Sequence, residues 1–461
     1  MRHFNSASII FLSVGLGSLA TGCSGGGGGL IGALTSHPSA TPTPMPAPTS
    51  DDVSETAQRS DALVDSIGIN THLGRSDSPY IASNFAALNS LMTGLGIRHV
   101  RDQAFAPGNN TALCSEESSL AASNIKFDFY SDPDVPTSTL SSWTSCVGTA
   151  LEAYEGPNEY DIEHPSSDTN WPATLSSYQQ SLYAAVKGNA ASASIPVIAP
   201  SLTTLSAYNA VGDLSDFVDY GNTHTGYSGY NPGTSGWGPD GYGSIAYRLS
   251  GAAVEAGSKP VMATETGYTT AALADGVNLA VQAKYLPRLV IETYLAGLPR
   301  TYVYELTDEP EDSGLTGSFG LVTSSLAPKP AYTALQSLIS LLADPGETFT
   351  PATVSFVVTG APADVRHATF EKQDGSLFIA FWREDEGWNP TTETTITVAP
   401  VNVGIRLDSA PSAVTEYSYN AAYTLAPQTL SPSASLALTV TDSVQILHIV
   451  PAGSTSAHAR K

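Results

Sequence analysis

Two short acidic stretches stand out in a chain otherwise sparing with charge: "GPNE", ending in Asn158 and Glu159, and "TETG", which carries Glu265. Each closes a hydrophobic run, at residues 150–159 and 259–267. Two carboxyl groups brought within about 5 Å of one another can divide a bond cleavage between them, one protonating a leaving oxygen and the other facing the electron-poor carbon. Other apolar runs also end in polar side chains: Asn70 and His72, Arg101 and Asp102, His224 followed by Tyr227, and Tyr304, Glu305 and Asp308. An arginine among carboxyls can keep one of them ionised, and burial can keep another protonated. Metal chemistry is not expected, because no HExxH, clustered Cys/His or calcium-loop spacing occurs, and neither a GxSxG elbow nor a dinucleotide fingerprint is present. No cofactor is expected.

These residues matter together only if the fold brings them to one place. Short β-branched or apolar runs at 65–72, 97–102, 125–132, 150–159, 195–201, 217–224, 259–267 and 300–308 alternate with Ala- and Leu-rich segments of helical periodicity. Strict alternation implies parallel strands joined by right-handed crossovers, and eight repeats favour a closed (β/α)8 barrel over 62–343. In such a barrel polar residues at the C-terminal strand ends share one mouth, so Glu159 on strand four and Glu265 on strand seven converge. If strand four stays extended through "YEGPNE", Glu155 points inward on the same face as Glu159, either as a structural partner of Arg101 or His72 or as a substrate contact. From 344 to 452 the helical period disappears, and short alternating runs such as "GSLFIAFWRE" and "SVQILHIV" imply an antiparallel β-sandwich. A polar tail, 453–461, follows. No Gly/Ser/Pro linker separates the two domains, so the sandwich is expected to pack on the barrel.

"GPNE" ending strand four and "TETG" ending strand seven, ahead of a β-sandwich, resemble the large clan of retaining (β/α)8 glycoside hydrolases, especially its family-39-like members. That resemblance implies Glu159 as acid/base, Glu265 as nucleophile, Asn158 on the sugar 2-hydroxyl, and a polysaccharide or oligosaccharide with a β-linkage as substrate. It extends over 62 to about 452, although the short "GPNE" departs from the longer tryptophan-containing motifs of some clan members. Arg101, His72, His224, Tyr227, Tyr304 and Glu305 are candidate substrate contacts; His224 and Tyr227 could instead fill the barrel rim, His72 could be a satisfied core histidine, and Arg101 a structural ion pair. The glycine-rich segment after strand six carries Tyr227, Tyr230, Trp237 and Tyr242, which either stack on sugar or pack the loop down. A non-catalytic glycan-binding protein on the same barrel, or a transglycosylase, are the alternatives.

Bulk properties agree with an exported protein acting on neutral polar ligands. The 461 residues are 41% hydrophobic, enough to bury a large core, while 19 Lys and Arg against 43 Asp and Glu leave a net charge of −24. That field repels nucleic acid. The N-terminus has a basic start, an apolar run and "LATGC", which resembles a bacterial lipoprotein signal spanning 1–23 with Cys23 as the lipidated residue; an ordinary signal peptide cut nearby is the alternative. A Gly/Pro/Ser/Thr-rich tether follows at 24–61, so a monomer held by lipid at the cell envelope, on the periplasmic or outer face, is expected. In that oxidising setting Cys114 and Cys146 either form a disulfide or remain as buried thiols.

Overall fold

The computed structural model describes residues 50–453 except 76–78, 105–111, 165, 239, 274 and 310–313. The signal segment with Cys23, most of the tether and nearly all of the polar tail therefore lie outside the described residues.

Two strands, β1 (Ser50–Thr56) and β2 (Gln58–Arg59), precede the barrel. Its eight strands are β3 (Ile67–Asn70), β4 (His99–Gln103), β5 (Lys126–Tyr130), β6 (Leu151–Glu155), β7 (Val197–Ile198), β8 (Gly221–Gly226), β9 (Val261–Gly267) and β10 (Thr301–Val303). All eight expected runs hold one. Neighbours pair in parallel in the order β7-β6-β5-β4-β3-β10-β9-β8. The ring closes where Ile198 bridges Tyr220 and the Ala199 amide donates to the Tyr220 carbonyl at 2.9 Å.

Outward-facing Ile69, Val100, Phe127, Phe129 and Tyr154 are 0% exposed and pack beneath the surrounding helices. Helix Pro330–Leu342 shows why its sequence is helical: Pro330 occupies the first turn, where no amide hydrogen is needed, and Ala331, Leu335, Leu338, Ile339 and Leu342 form one buried stripe. Helix Leu279–Leu295 starts at Asn278, whose side chain accepts from the Val281 amide, and is buried nearly all round because the barrel lies on one side and the sandwich on the other. The disulfide forms: Cys114, on helix Leu113–Ala122, and Cys146, on helix Leu140–Val147, are bonded with Cα atoms 5.1 Å apart.

The C-terminal strands are β11 (Thr353–Thr359), β12 (Val365–Glu371), β13 (Leu377–Arg383), β14 (Trp388–Asn389), β15 (Thr394–Thr395), β16 (Val401–Leu407), β17 (Ala413–Tyr419), β18 (Leu425–Leu430), β19 (Ser435–Val440) and β20 (Gln445–Val450). β14 and β15 pair with each other; the rest form a four-stranded sheet β1-β11-β16-β19 facing a six-stranded sheet β18-β17-β20-β13-β12-β2. This corrects the expected tether, because residues 50–59 belong to the sandwich: β1 pairs antiparallel with β11, and β2 pairs parallel with β12. Alternation along β13 serves two cores at once. Ile379 and Phe381 enter the sandwich interior, whereas Phe378, Ala380 and Trp382 join the cluster continuous with the barrel helices. Polar contacts reinforce the seam. Arg288, 0% exposed, pairs with Glu384; Lys284 lies 2.6 Å from Asp442; and the Tyr285 hydroxyl accepts from the Gly387 amide at 2.8 Å.

Candidate active site

The barrel interior is polar, and one arginine organises it. Arg101, inward on β4 and 1% exposed, has five N–H donors. Nε reaches Glu155 Oε2 at 2.8 Å, and Nη2 reaches Glu155 Oε1 at 2.7 Å and Asn158 Oδ1 at 2.8 Å. Nη1 reaches Glu265 Oε1 at 2.7 Å and Asn70 Oδ1 at 3.0 Å. The guanidinium also lies over the Tyr130 ring, 4.3 Å from its centroid. Every donor is thereby used inside the protein, so Arg101 is a positioning residue, which corrects its expected role as a substrate contact. Glu155, at 0% exposure, is its structural counter-ion.

Strand four is shorter than its sequence suggests, since β6 ends at Glu155 and "GPNE" forms the turn beyond it. Period-two alternation therefore cannot place Glu159. Gly156 is required there, because a Cβ would meet Gln179 Oε1 at 2.2 Å and the Pro200 nitrogen at 2.8 Å. Glu159 has a left-handed backbone, φ 37° and ψ 40°, of a kind that costs a non-glycine residue about 1–2 kcal/mol. Its amide donates to Ser201 Oγ at 3.0 Å, which helps hold the turn.

On the opposite wall β9 carries a bulge. Thr223 pairs with Ala263 but His224 pairs with Glu265, leaving Thr264 as the extra residue. The bulge lets Thr264 and Glu265 both enter the interior, against simple alternation. Glu265 Oε1 is held by Arg101, while Oε2 is buried without a hydrogen-bond partner among the described residues. One carboxyl oxygen each of Glu159 and Glu265, together with a His224 ring nitrogen, lie within 4.8 Å of one another.

A chain of hydrogen bonds determines where the proton between these groups resides. Asn222 donates both amide hydrogens, to the Ala199 carbonyl at 3.0 Å and to Glu155 Oε1 at 3.0 Å, so its Oδ1 faces Thr264. The Thr264 hydroxyl donates to that oxygen at 2.7 Å, leaving its own lone pairs for His224 Nε2–H at 3.0 Å. A neutral imidazole with its hydrogen on Nε2 presents a lone pair at Nδ1, 2.7 Å from Glu159 Oε1. Against a neutral ring Glu159 is the donor, as a carboxylic acid. Electrostatics agree: burial, assisted by Asp161, pushes Glu159 up to about 8, and burial pushes His224 down to about 4. Burial also raises Glu265, opposed by the Arg101 guanidinium on its Oε1.

The other expected residues divide between site and scaffold. His72 binds Glu309 Oε1 through Nδ1 at 2.6 Å, with Glu305 Oε2 at 3.4 Å. Tyr304 lies edge-on to His72, its hydroxyl raised well above the ordinary range by burial and by Glu305 and Glu265. Asn158 donates to Glu163 Oε1 at 3.3 Å. By contrast Tyr227 is 1% exposed and stacks on Tyr268, which packs on Tyr285 at the sandwich seam, so it is scaffold rather than a sugar contact. Trp237 stacks on Tyr230 and lies against Gly243, where a Cβ would come within 2.2 Å of the indole; its ring packs the loop down instead of lying open. The sandwich holds that loop as well, with Glu386 accepting from the Asn231 amide at 2.9 Å and Glu384 from the Gly233 amide at 3.0 Å.

Sequence reasoning missed Tyr130, Asn222, Thr264 and Glu309. Period two from His224 would have pointed to Asn222, whereas a bulge leaves no such trace at Thr264. The triads Glu159–His224–Glu265 and His72–Glu305–Glu309 both have spacing that a divalent cation could bridge. Guanidinium groups already engage a carboxylate of each, Arg101 on Glu265 and Arg75 on Glu309.

No protein-family model matches the chain, and no curated protein matches it. Solved structures do. A family 39 glycoside hydrolase from the gut symbiont Bacteroides cellulosilyticus WH2 superposes with TM-score 0.54 at 17% identity, covering 84% of this chain and 82% of that one. A family 51 arabinofuranosidase from Xanthomonas axonopodis pv. citri gives 0.52 at 11% identity, covering 87% and 100%. An α-L-arabinofuranosidase from Thermotoga maritima gives 0.54 at 11%, covering 86% and 97%. The shared property is the fold, a parallel barrel followed by antiparallel sheets.

Proposed function

We propose that this protein is a retaining glycoside hydrolase that cleaves a β-linked glycan by double displacement. The observation carrying the reading is the pair Glu159 and Glu265, buried at the ends of strands four and seven, with one carboxyl oxygen of each within 4.8 Å of the other, the short spacing that double displacement uses. Glu159, protonated at rest, gives its proton to the glycosidic oxygen as the bond to the anomeric carbon breaks. Glu265 Oε2, free of hydrogen bonds among the described residues, forms the new bond to that carbon. Arg101 on Oε1 disperses the nucleophile's charge and favours its departure in the second step, in which Glu159, now ionised, takes a proton from water. Asn158, held by Arg101, is assigned the sugar 2-hydroxyl.

Anomeric NMR of the first-formed product on an aryl β-glycoside tests this, and net retention is expected. Glu159→Ala should stall as a glycosyl-enzyme and turn over again with azide to a β-azide, whereas Glu265→Ala should give, if anything, the α-azide. An inverted first product, or full activity in both variants, overturns the assignment. Lipidation at Cys23 and a cell-envelope location are part of the proposal, supported by the "LATGC" signal and the Pro/Gly-rich stretch after it. Retention of Cys23→Ala in the membrane fraction would count against them.

A further inference from the structure

The wall opposite Glu159 carries chemistry that the bond-breaking step does not use. His72, at the end of strand one, has Nδ1 2.6 Å from Glu309 Oε1 and 3.4 Å from Glu305 Oε2, and Arg75 holds the other Glu309 oxygen. Glu305 is 0% and Glu309 1% exposed. A carboxylate beside Nδ1 fixes the proton on that nitrogen and leaves Nε2 as a lone-pair acceptor in the neutral ring. Among the described residues Nε2 has no hydrogen-bond partner, and the His72 side chain keeps 11% of its surface open. Tyr304, edge-on to the imidazole with ring centroids 5.9 Å apart, donates its amide to the Thr266 carbonyl at 2.7 Å, next to Glu265, so this wall adjoins the nucleophile.

The surrounding cations are committed elsewhere. Arg101 has spent its five donors, and Arg75 is on Glu309. On this wall Lys329 lies 2.6 Å from Asp308; Arg248 stands on the Glu159 side, where it donates to the Thr203 carbonyl and keeps its Nε without a partner among the described residues. A negatively charged sugar entering on this wall would bury a carboxylate beside Glu305 and Glu309 with Arg101, Arg75 and Lys329 already paired, whereas a hydroxyl finds an acceptor ready at His72.

Building on the hydrolase reading, we propose that the glycone subsite selects an uncharged sugar, and that His72, its tautomer held by Glu309, accepts a hydrogen bond from one of that sugar's hydroxyls. Glu309 is then a positioning residue. The test compares aryl β-glycosides of neutral sugars with the aryl β-glucuronide carrying the same leaving group, followed by a mono-deoxy series on the best glycone. A neutral sugar should be preferred by at least ~100-fold in kcat/KM. In His72→Ala one deoxy position should lose its effect while the others keep theirs, and Glu309→Leu should show the same selective loss. A preference for the glucuronide, or a loss in His72→Ala that is equal for every deoxy substrate, overturns the proposal. A wild-type protein inert on all these glycosides overturns the hydrolase reading instead. Calorimetry then decides the subsite separately: a neutral iminosugar that binds, and binds more weakly to His72→Ala, supports it, and tighter binding of the carboxylated iminosugar overturns it.

Discussion

Replacing Thr264 by valine should change the pH dependence of the acid/base without touching either carboxyl. The hydroxyl donates to Asn222 at 2.7 Å and accepts from His224 Nε2 at 3.0 Å, and this double commitment forces the imidazole to offer Glu159 a lone pair. Valine keeps the shape and removes the hydroxyl. A buried Nε2–H left unpaired costs about 1–3 kcal/mol. The ring escapes that cost by carrying its hydrogen on Nδ1, from which it donates to Glu159 and favours the carboxylate. At 1.36 kcal/mol per unit, the same energy lowers the Glu159 pKa by roughly 1–2 units from about 8. The alkaline limb of kcat/KM on a glycoside with a poor leaving group, which needs the proton, should move down by that amount. Thr264→Ser retains the hydroxyl and should keep the wild-type limb. Both variants are read alongside their melting temperatures, since the orphaned Asn222 oxygen weakens the valine variant without moving the limb. An active Thr264→Val enzyme whose limb stays in place or moves upward, or a serine variant shifted as far as the valine one, refutes the reasoning.

Arg101→Lys leaves three donors where five acceptors were met, so kcat should fall by at least ~100-fold with a lower melting temperature; a rise in KM at unchanged kcat would make Arg101 a substrate contact after all. Glu117 is 1% exposed, and both its oxygens lack hydrogen-bond partners among the described residues. Burial, then the nearby charge of Asp102, pushes it up to about 9. Its pKa is raised on folding, so its contribution is fully present below the ordinary 4.5 and is lost as pH rises toward about 9. Glu117→Gln should therefore raise the melting temperature at pH 8 and leave it nearly unchanged at pH 4, and equal shifts at both pH values would contradict this. A chain ending at Ala343 uncovers helix Leu279–Leu295 and releases the loop held by Glu384 and Glu386, so it should be insoluble or inactive; a soluble, fully active truncation would show that the seam is dispensable.

Hydrophobic periodicity is local, and what depends on it was legible in the sequence. The eight strands, the intervening helices and the change to antiparallel runs after residue 343 follow from spacings of two and of three to four within single segments. Because a parallel barrel gathers its strand ends at one mouth, the convergence of Glu159 and Glu265 followed from the count of strands. The chain's beginning was read less well: residues 50–59, "SDDVSETAQR", carry no alternating apolar pattern, yet β1 and β2 complete sheets whose other strands are roughly three hundred positions or more away. Backbone pairing across that distance leaves no mark on local composition. The proton on Glu159 is likewise a property of the assembled barrel, since it depends on a bulge at Thr264, an amide at Asn222 locked by the Ala199 carbonyl, and burial of the whole chain. Tyr227 and Trp237 looked like sugar platforms because sequence reports an aromatic ring without reporting what covers its faces; Tyr268 and Tyr230 cover them here. Residue types and their local period determined which chemistry was available. Burial and hydrogen-bond partners, each supplied by segments far apart in the chain, decided which groups are protonated, which are spent within the scaffold and which remain open to a ligand.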